Sequence, residues 1–252
     1  MRYFLKLAYD GTGFHGWQRQ PNASSVQQSL EEALSTILRK ETPVVGAGRT
    51  DTGVHAEVMY AHFDAEQVKN PRQFLSSLNK LVGRDIAVQE LLHVRDDAHA
   101  RFDALSRTYK YHIILAKNPF KERFAHRLHA MPDLVKMNEC GEILLSVSDF
   151  TSFSKLHTDV KTNICKVTEA RWEMAGEKGD ELVFTITADR FLRNMVRAVV
   201  GTLLEVGNGK IDRKRFEEII EEKDRCEAGM SMPAKGLFLN NIVYPKEIFL
   251  YD

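Results

Sequence analysis

The chain has 252 residues, of which 43% are hydrophobic and 28% are charged, proportions typical of a globular protein with its own core. Its 35 basic and 35 acidic residues cancel, and this balance argues against a protein coated with nucleic acid on every side. Cys140, Cys165 and Cys226 lie far apart without a CxxC pair, which predicts reduced thiols and argues against a disulfide framework or a cysteine-built zinc site. The absence of a signal peptide and of an apolar run of about 18 residues predicts a cytoplasmic protein with no membrane partner.

The hydrophobic pattern of roughly the first hundred residues predicts the order β-α-β-β-α-β. Ser24 and Gln27 are spaced as a capping box for the first helix. Pro71 follows Asn70 and predicts the start of the second helix, because proline is favoured at the first helical position. Helices are predicted at 26–39 and 71–81, and strands at 2–9, 43–46, 58–63 and 85–94.

The second half of the chain begins near Leu105 and repeats this mixture of elements. Strands are predicted at 108–115, 164–174, 182–188 and 237–243, and helices at 133–145, 191–206 and 212–223. The order predicts an α+β fold with two halves, 1–104 and 105–252, each with helices over one face of a mainly antiparallel sheet. A cleft between two such halves is the expected place for a functional site.

The segment Gly11-Thr-Gly13-Phe-His-Gly16 matches the GxGxxG pattern of dinucleotide-binding proteins. That pattern requires a helix to begin within the glycine turn, so that its N-terminus holds the pyrophosphate. Here residues 17–21 separate the glycines from the next predicted helix. We therefore expect no nucleotide cofactor, and we interpret the glycines as a tight loop with positive φ angles that faces the substrate.

The most unusual stretch is residues 46–56, which surround one arginine, one aspartate and one histidine with small residues. Asp51 has two interpretations at this point. It is either the head of an Asx-type turn that binds nearby backbone amides, or a catalytic carboxylate fixed by a glycine-bounded loop. The residues alone leave both open.

A basic surface with interleaved aromatic rings is predicted between Arg101 and Arg127, where seven basic side chains stand against two acidic ones. Such a patch on a neutral protein is typical of site-specific RNA binding. An ordinary solvated charged face fits the same pattern.

The sequence GRTDTGVHA at 48–56 resembles the active-site motif of the bacterial tRNA pseudouridine synthase A family. The resemblance continues in YDGTGFHGWQRQP at 9–21, SVQQSLEEAL at 25–34, HARFDALSRTYKY at 99–111, FLRNMVRAVVGTLLEVGNGK at 191–210 and PAKGLFL at 233–239. It implies two ferredoxin-like α+β halves that face each other, a homodimer, and no cofactor. It also implies a substrate, the uridines at positions thirty-eight to forty of the tRNA anticodon stem-loop.

The resemblance assigns the nucleophile to Asp51, an active-site tyrosine to Tyr109, and the partner of the aspartate to Arg197. Glycosidic chemistry commonly uses a carboxylate as nucleophile or as stabiliser of a cationic sugar. A nearby guanidinium keeps such a carboxylate ionised. Tyr109 is expected to stack on the everted uracil, with its hydroxyl near the C5 proton. On a helix over 191–206, Arg193 and Arg197 would share one flank.

Further residues are expected near the site. Arg49, Arg101 and Arg107 are predicted to contact phosphates and RNA, although each could equally form a surface ion pair. Leu237 is either a wall of the pocket or a plain core leucine. His55 is interpreted as a hydrogen-bonded loop side chain. No histidine spacing predicts a metal.

The sequence departs from the family at Met59, where glutamine is common, and at Gly83, where proline is common. Neither position carries the expected chemistry. The alternative function is a non-catalytic RNA-binding protein with RRM-like halves, although its RNP1 pattern is absent. A second alternative is an NAD-dependent oxidoreductase, because residues 11–16 match the GxGxxG pattern.

Overall fold

The computed structural model describes residues 1–155 and 162–250. The chain divides into two compact units, one formed by Met1–Leu105 with the residues from Phe238 on, and the other by Ser106–Leu237. The described residues contain five α-helices and mostly antiparallel strands. This agrees with the predicted mixture of helices and mainly antiparallel sheet.

The nine strands are β1 (Arg2–Tyr9), β2 (Val45–Gly46), β3 (His55–Asp64), β4 (Ile86–Val94), β5 (Ser106–Ile114), β6 (His126–Arg127), β7 (Val167–Ala175), β8 (Glu181–Ala188) and β9 (Leu237–Val243) within the described part of the chain. The helices are α1 (Val26–Leu38), α2 (Pro71–Leu81), α3 (Leu134–Ile143), α4 (Met195–Gly207) and α5 (Arg213–Glu222). Among the described residues, every predicted helix and strand is present with shifted ends, whereas the short β6 and four single-turn 3-10 helices were not predicted. β3 begins three residues before its predicted start.

The sheet of the first unit has the strand order β4-β1-β3-β9. β1 pairs antiparallel with both neighbours, so that Leu5 lies opposite Ala61 on β3 and Leu91 on β4. β2 pairs antiparallel with β3. The last strand instead runs parallel to β3, with Phe238 opposite His55. The strand that follows the Asp51 loop is therefore held by residues from the far end of the sequence.

Helix α1 buries its apolar residues at helical spacing, as predicted. Its first turn is capped by Ser25, whose hydroxyl accepts a hydrogen bond from the Gln28 N–H at 3.2 Å. The predicted capping box is therefore wrong by one residue. Ser24 donates to the Gly13 carbonyl, and the Gln27 side chain donates to the Val44 carbonyl. Helix α2 has Pro71 at its start and Asn70 as its cap, which confirms the prediction.

The second unit contains an antiparallel sheet with the order β5-β8-β7. β5 pairs with β8 along its length, from Arg107 opposite Ala188 to Ile114 opposite Glu181. β6 adds a short parallel pairing to the far end of β5. Tyr109 lies on β5, two residues after the start of its pairing with β8.

Helix α4 is almost entirely buried and forms part of the core of the second unit. It begins at Met195 because Asn194 has φ +67°, a left-handed conformation that cannot continue a right-handed helix. Residues 191–194 therefore precede the helix, and the prediction of a helix from Phe191 is wrong there. Arg193 is exposed on this approach segment and does not share a helical flank with Arg197.

Within the described residues, no helix is both long and apolar enough to span a lipid bilayer. In the same part of the chain, no group of three or more histidine, cysteine, aspartate or glutamate side chains is arranged to hold a metal ion.

Candidate active site

Asp51 lies in the loop between β2 and β3 and is half-buried. The loop closes in a tight turn, in which the Val54 N–H donates to the Asp51 carbonyl at 3.1 Å. Gly53 provides the positive φ angle of this turn, +76°. The backbone on both sides of the aspartate is therefore fixed by local geometry.

A second loop, residues 10–17, packs its backbone directly on the Asp51 loop. A Cβ atom built on Gly11 would lie 2.0 Å from the Val54 carbonyl oxygen, and one on Gly16 would lie 2.3 Å from the Thr50 carbonyl oxygen. The Trp17 N–H donates to that same Thr50 carbonyl at 3.2 Å. Glycine is required at these two positions because any side chain would enter the Asp51 loop.

This contact revises the interpretation of the glycine motif. Gly16 has a positive φ angle, +93°, but Gly11 and Gly13 do not. A Cβ on Gly13 would have no neighbour within 4 Å. The first and last glycines of the motif thus support the Asp51 loop by close backbone approach, and the middle one has no such role.

Side chains close the contact between the two loops. The Tyr9 and Thr50 hydroxyls form a buried hydrogen bond of 2.8 Å immediately before Asp51. The Trp17 ring is buried and lies against Gly46, where a Cβ would come within 2.4 Å of it. The loop is therefore held through its side chains as well as through its backbone.

His55 begins β3 and is buried. Its Nδ1 accepts a hydrogen bond from the Gly11 N–H at 3.0 Å and lies 3.2 Å from a carboxylate oxygen of Asp10. An amide N–H can only donate, so Nδ1 is the acceptor in the bond with Gly11. The imidazole also stacks on Phe238 of β9 at 4.6 Å. The geometry agrees with the interpretation of a hydrogen-bonded loop side chain.

The other predicted residues of the first unit are exposed arginines. Arg49 lies two residues before Asp51. Arg101 lies in a loop where the His99 imidazole accepts hydrogen bonds from the Arg101 and Phe102 N–H groups. The Phe102 ring is 74% exposed, and the Arg101 guanidinium lies 5.8 Å from its centre. The guanidinium lies over the ring, so this loop holds a cation and an aromatic ring together at the surface.

Tyr109 lies on β5 opposite Ile186 and is half-buried. The Phe191 ring meets it edge-on, with the ring centres 5.0 Å apart and the planes at 82°. Phe191 is not among the residues predicted for the site. Only its position in the FLRNMVR motif could have indicated that it lies near Tyr109. This contact fixes the tilt of the tyrosine ring.

Two neighbours of Tyr109 on the same strand donate hydrogen bonds to backbone carbonyls of the second unit. Arg107 donates to the Asp189 carbonyl at 2.8 Å and so ties the start of β5 to the end of β8. Tyr111 is fully buried and its hydroxyl donates to the Pro233 carbonyl at 2.9 Å. Burial raises the pKa of the Tyr111 hydroxyl far above its usual value. Tyr111 is therefore a structural residue.

Arg197 lies in the first turn of α4 and is half-buried. Its Nε donates to the Met232 carbonyl at 2.5 Å. Leu237 is buried at the start of β9, so both interpretations of Leu237, as pocket wall or as core leucine, stay open.

The predicted residues divide between the two units. Those in the first unit are Asp51, Arg49 and Arg101, and those in the second are Tyr109, Arg107, Arg197 and Leu237. Within each unit the predicted residues lie on elements that fix their backbones. The meeting of Asp51 with Tyr109 and Arg197 stays a prediction.

Comparison with known proteins gives a consistent family. A family model described as tRNA pseudouridine synthase matches residues 7–103 and 144–245. A tRNA pseudouridine synthase A of Bacteroides fragilis is 57% identical over 249 residues, which cover 98% of this chain and 98% of the relative. A relative with the same name from Bacteroides thetaiotaomicron is 55% identical over 98% of this chain and 92% of its own length. A more distant one, from Clostridium acetobutylicum, is 39% identical over 95% of this chain and 98% of its own.

Proposed function

This chain belongs to the tRNA pseudouridine synthase family, and from that premise we propose that it converts uridine to pseudouridine at positions 38–40 of the tRNA anticodon stem-loop. It is an isomerase that acts on tRNA uridine. The bond between N1 of uracil and C1′ of ribose breaks, and a bond between C5 and C1′ forms. C5 loses a proton and N1 gains one, so the reaction is balanced without a cofactor.

Asp51 is the proposed nucleophile. The observation that carries this proposal is the packing of residues 10–17 on the Asp51 loop, in which Gly11 and Gly16 bring two backbones together. A carboxylate whose backbone is fixed in this way stays oriented while the sugar or the base changes position, and orientation accounts for much of enzymatic rate acceleration. Attack at C1′, addition to the uracil ring, and a glycal route all remain open for this carboxylate.

Tyr109 is proposed to stack on the uracil after it leaves the RNA stack. Eversion of a base costs a few kcal/mol, and stacking on an aromatic ring contributes about 1–3 kcal/mol. The edge-on contact with Phe191 supports this role because it holds the tyrosine ring at one tilt. The Tyr109 hydroxyl is then a candidate for removal of the C5 proton.

Arg197 is proposed to pair with Asp51 across a cleft between two ferredoxin-like halves. A guanidinium beside the carboxylate keeps it ionised. Arg49, Arg101 and Arg107 are proposed to contact the RNA backbone, with Leu237 as a wall of the pocket. The proposal includes a cytoplasmic homodimer whose subunits jointly hold the tRNA.

The decisive experiment replaces Asp51 by Asn and by Ala and maps pseudouridine in an unmodified tRNA transcript. Both variants should lose all detectable product while keeping the wild-type melting temperature and affinity for tRNA. Asp97→Asn is the matched control, because Asp97 is an exposed aspartate of the same unit that pairs with Arg95. Turnover by Asp51→Ala at the wild-type rate would overturn the assignment.

The same experiment separates this function from its alternative. A non-catalytic RNA-binding protein would bind the transcript, and the wild-type chain itself would produce no pseudouridine at any position. Product at another uridine would instead contradict only the proposed positions 38–40.

A further inference from the structure

One segment of the second unit lies along α4 and contacts the turn that carries Arg197. We call this segment, residues 228–233, the strap. Its backbone approaches the helix so closely that a Cβ on Gly201 would lie 1.8 Å from the Met230 carbonyl oxygen. The Gly229 N–H donates to the buried Thr202 hydroxyl at 2.9 Å. The glycine at each of these positions allows two backbones to meet.

The strap holds Arg197 by a reciprocal pair of hydrogen bonds. The Arg197 carbonyl accepts from the Met232 N–H at 3.1 Å, and the Arg197 Nε donates to the Met232 carbonyl at 2.5 Å. One residue of the strap thus fixes both the backbone and the side chain of the arginine. Nε is used in this bond. A carboxylate can therefore make a bidentate pair with the guanidinium only at its outer end, through Nη1 and Nη2.

The strap is in turn fixed by Arg225, which precedes it in the chain and is half-buried. Its guanidinium donates to the carbonyls of Ala228 and Gly229 at 3.2 and 3.1 Å, and to the Ser231 hydroxyl at 2.8 Å. The same Ser231 oxygen accepts a second hydrogen bond from the side chain of Asn194, at 2.5 Å. Asn194 is the left-handed residue that starts α4. Ser231 therefore joins Arg225 to the beginning of the helix.

We propose that Arg225 is a positioning residue that sets the direction of the Arg197 guanidinium through Ser231 and Met232. Arg225 does not touch the substrate in this proposal. It closes the strap into a ring with the N-terminal turn of α4, and that ring decides where the outer end of Arg197 points. The proposal rests on the proposed function, in which that outer end pairs with the catalytic carboxylate.

The test measures single-turnover rates of pseudouridine formation and tRNA affinity for Arg225→Met, Arg225→Lys and Ser231→Ala. Arg225→Met should slow the chemical step on the order of ten- to a hundredfold, because displacement of a catalytic group by about 1 Å costs up to that much. The Kd for tRNA should not change. Arg225→Lys should recover part of the rate.

A double-mutant cycle asks whether Arg225 acts through Arg197. In an Arg197→Met background, Arg225→Met should cause no further loss of rate, since the group that it positions is gone. Arg213→Met is the control, because Arg213 is an exposed arginine of the same unit that pairs with Glu217 on α5. This control should behave like the wild type in every assay.

Wild-type rates in both Arg225→Met and Ser231→Ala would overturn the proposal. So would a loss of rate from Arg225→Met in the Arg197→Met background that equals its loss in the wild-type background. If Arg225→Met fails to fold, Ser231→Ala decides, because it removes one shared acceptor and leaves the strap backbone intact. Failure of the proposed function is a separate result, since the wild-type chain would then produce no pseudouridine.

Discussion

Replacement of Gly11 by alanine tests whether residues 10–17 hold the Asp51 loop in its working position. The new Cβ would lie 2.0 Å from the Val54 carbonyl oxygen and 2.6 Å from its carbon. Carbon and oxygen atoms that are not bonded rarely come closer than about 3 Å, so one of the two backbones must move by about 1 Å. The Val54 N–H is bonded to the Asp51 carbonyl, and the movement therefore reaches the aspartate.

The size of the effect follows from that displacement. An overpacked contact destabilises a protein by typically 1–3 kcal/mol, which lowers the melting temperature but leaves most chains folded at room temperature. A shift of about 1 Å at a catalytic group costs on the order of a hundredfold in rate. Gly11→Ala should therefore lose far more activity than its loss of stability explains.

The assay compares Gly11→Ala with Gly13→Ala at a temperature where both are folded. Gly13 belongs to the same loop, and its Cβ would meet nothing within 4 Å, so its rate and melting temperature should match the wild type. Single-turnover formation of pseudouridine and the melting temperature are measured for each variant. A Gly11→Ala rate within twofold of the wild type would refute the reasoning.

Three further predictions concern the tyrosine, a buried histidine and the assembly. Tyr109→Phe keeps the ring and removes the hydroxyl, so it should bind tRNA normally but turn over slowly; normal turnover would leave only the stacking role. Burial lowers the pKa of His62 to about 4 from its ordinary 6.5, so the unfolded chain binds the extra proton and stability should fall by up to about 3 kcal/mol as the pH drops from 6.5 to 4. His62→Asn, which keeps an acceptor for the Ala100 N–H, should flatten that part of the stability curve in urea titrations. Sedimentation should give a dimer, and a fully active monomer at working concentration would contradict the proposed assembly.

Local patterns in the sequence predict most of the secondary structure. Pro71 after Asn70 marks the start of α2, and the apolar spacing of α1 places its buried face. The start of α4 is different, because residues 191–194 fit the helical spacing but Asn194 is left-handed. Its side chain bonds to Ser231, a partner 37 positions away. A contact at that separation overrides the local preference and leaves no periodic signal.

The residues expected to carry the chemistry of the candidate site are predictable from the sequence, but the residues that support them are not. Asp51 stands out because small residues and glycines surround it, and the family resemblance adds Tyr109 and Arg197. The residues that hold them in place, such as Gly11 and Arg225, are not recognisable as supports from the sequence. The contact between Gly11 and Val54 joins backbones 43 positions apart, and the sequence pattern around Gly11 fits a nucleotide-binding loop as well. Arg225 belongs to no motif, because its hydrogen bonds go to two backbone carbonyls, which every residue carries, and to one serine hydroxyl.

The parallel pairing of β9 with β3 has a consequence for the order in which the chain folds. His55, directly behind the Asp51 loop, stacks on Phe238, and the strand register joins the same two residues. On the ribosome, roughly 180 residues are synthesised between these partners. The first unit therefore emerges with a vacant sheet edge and must wait for its last strand while the whole second unit is being made. The Asp51 loop receives its final support only when translation is nearly finished. A shortened chain that ends before Phe238 lacks that support even though every residue of the Asp51 loop is present.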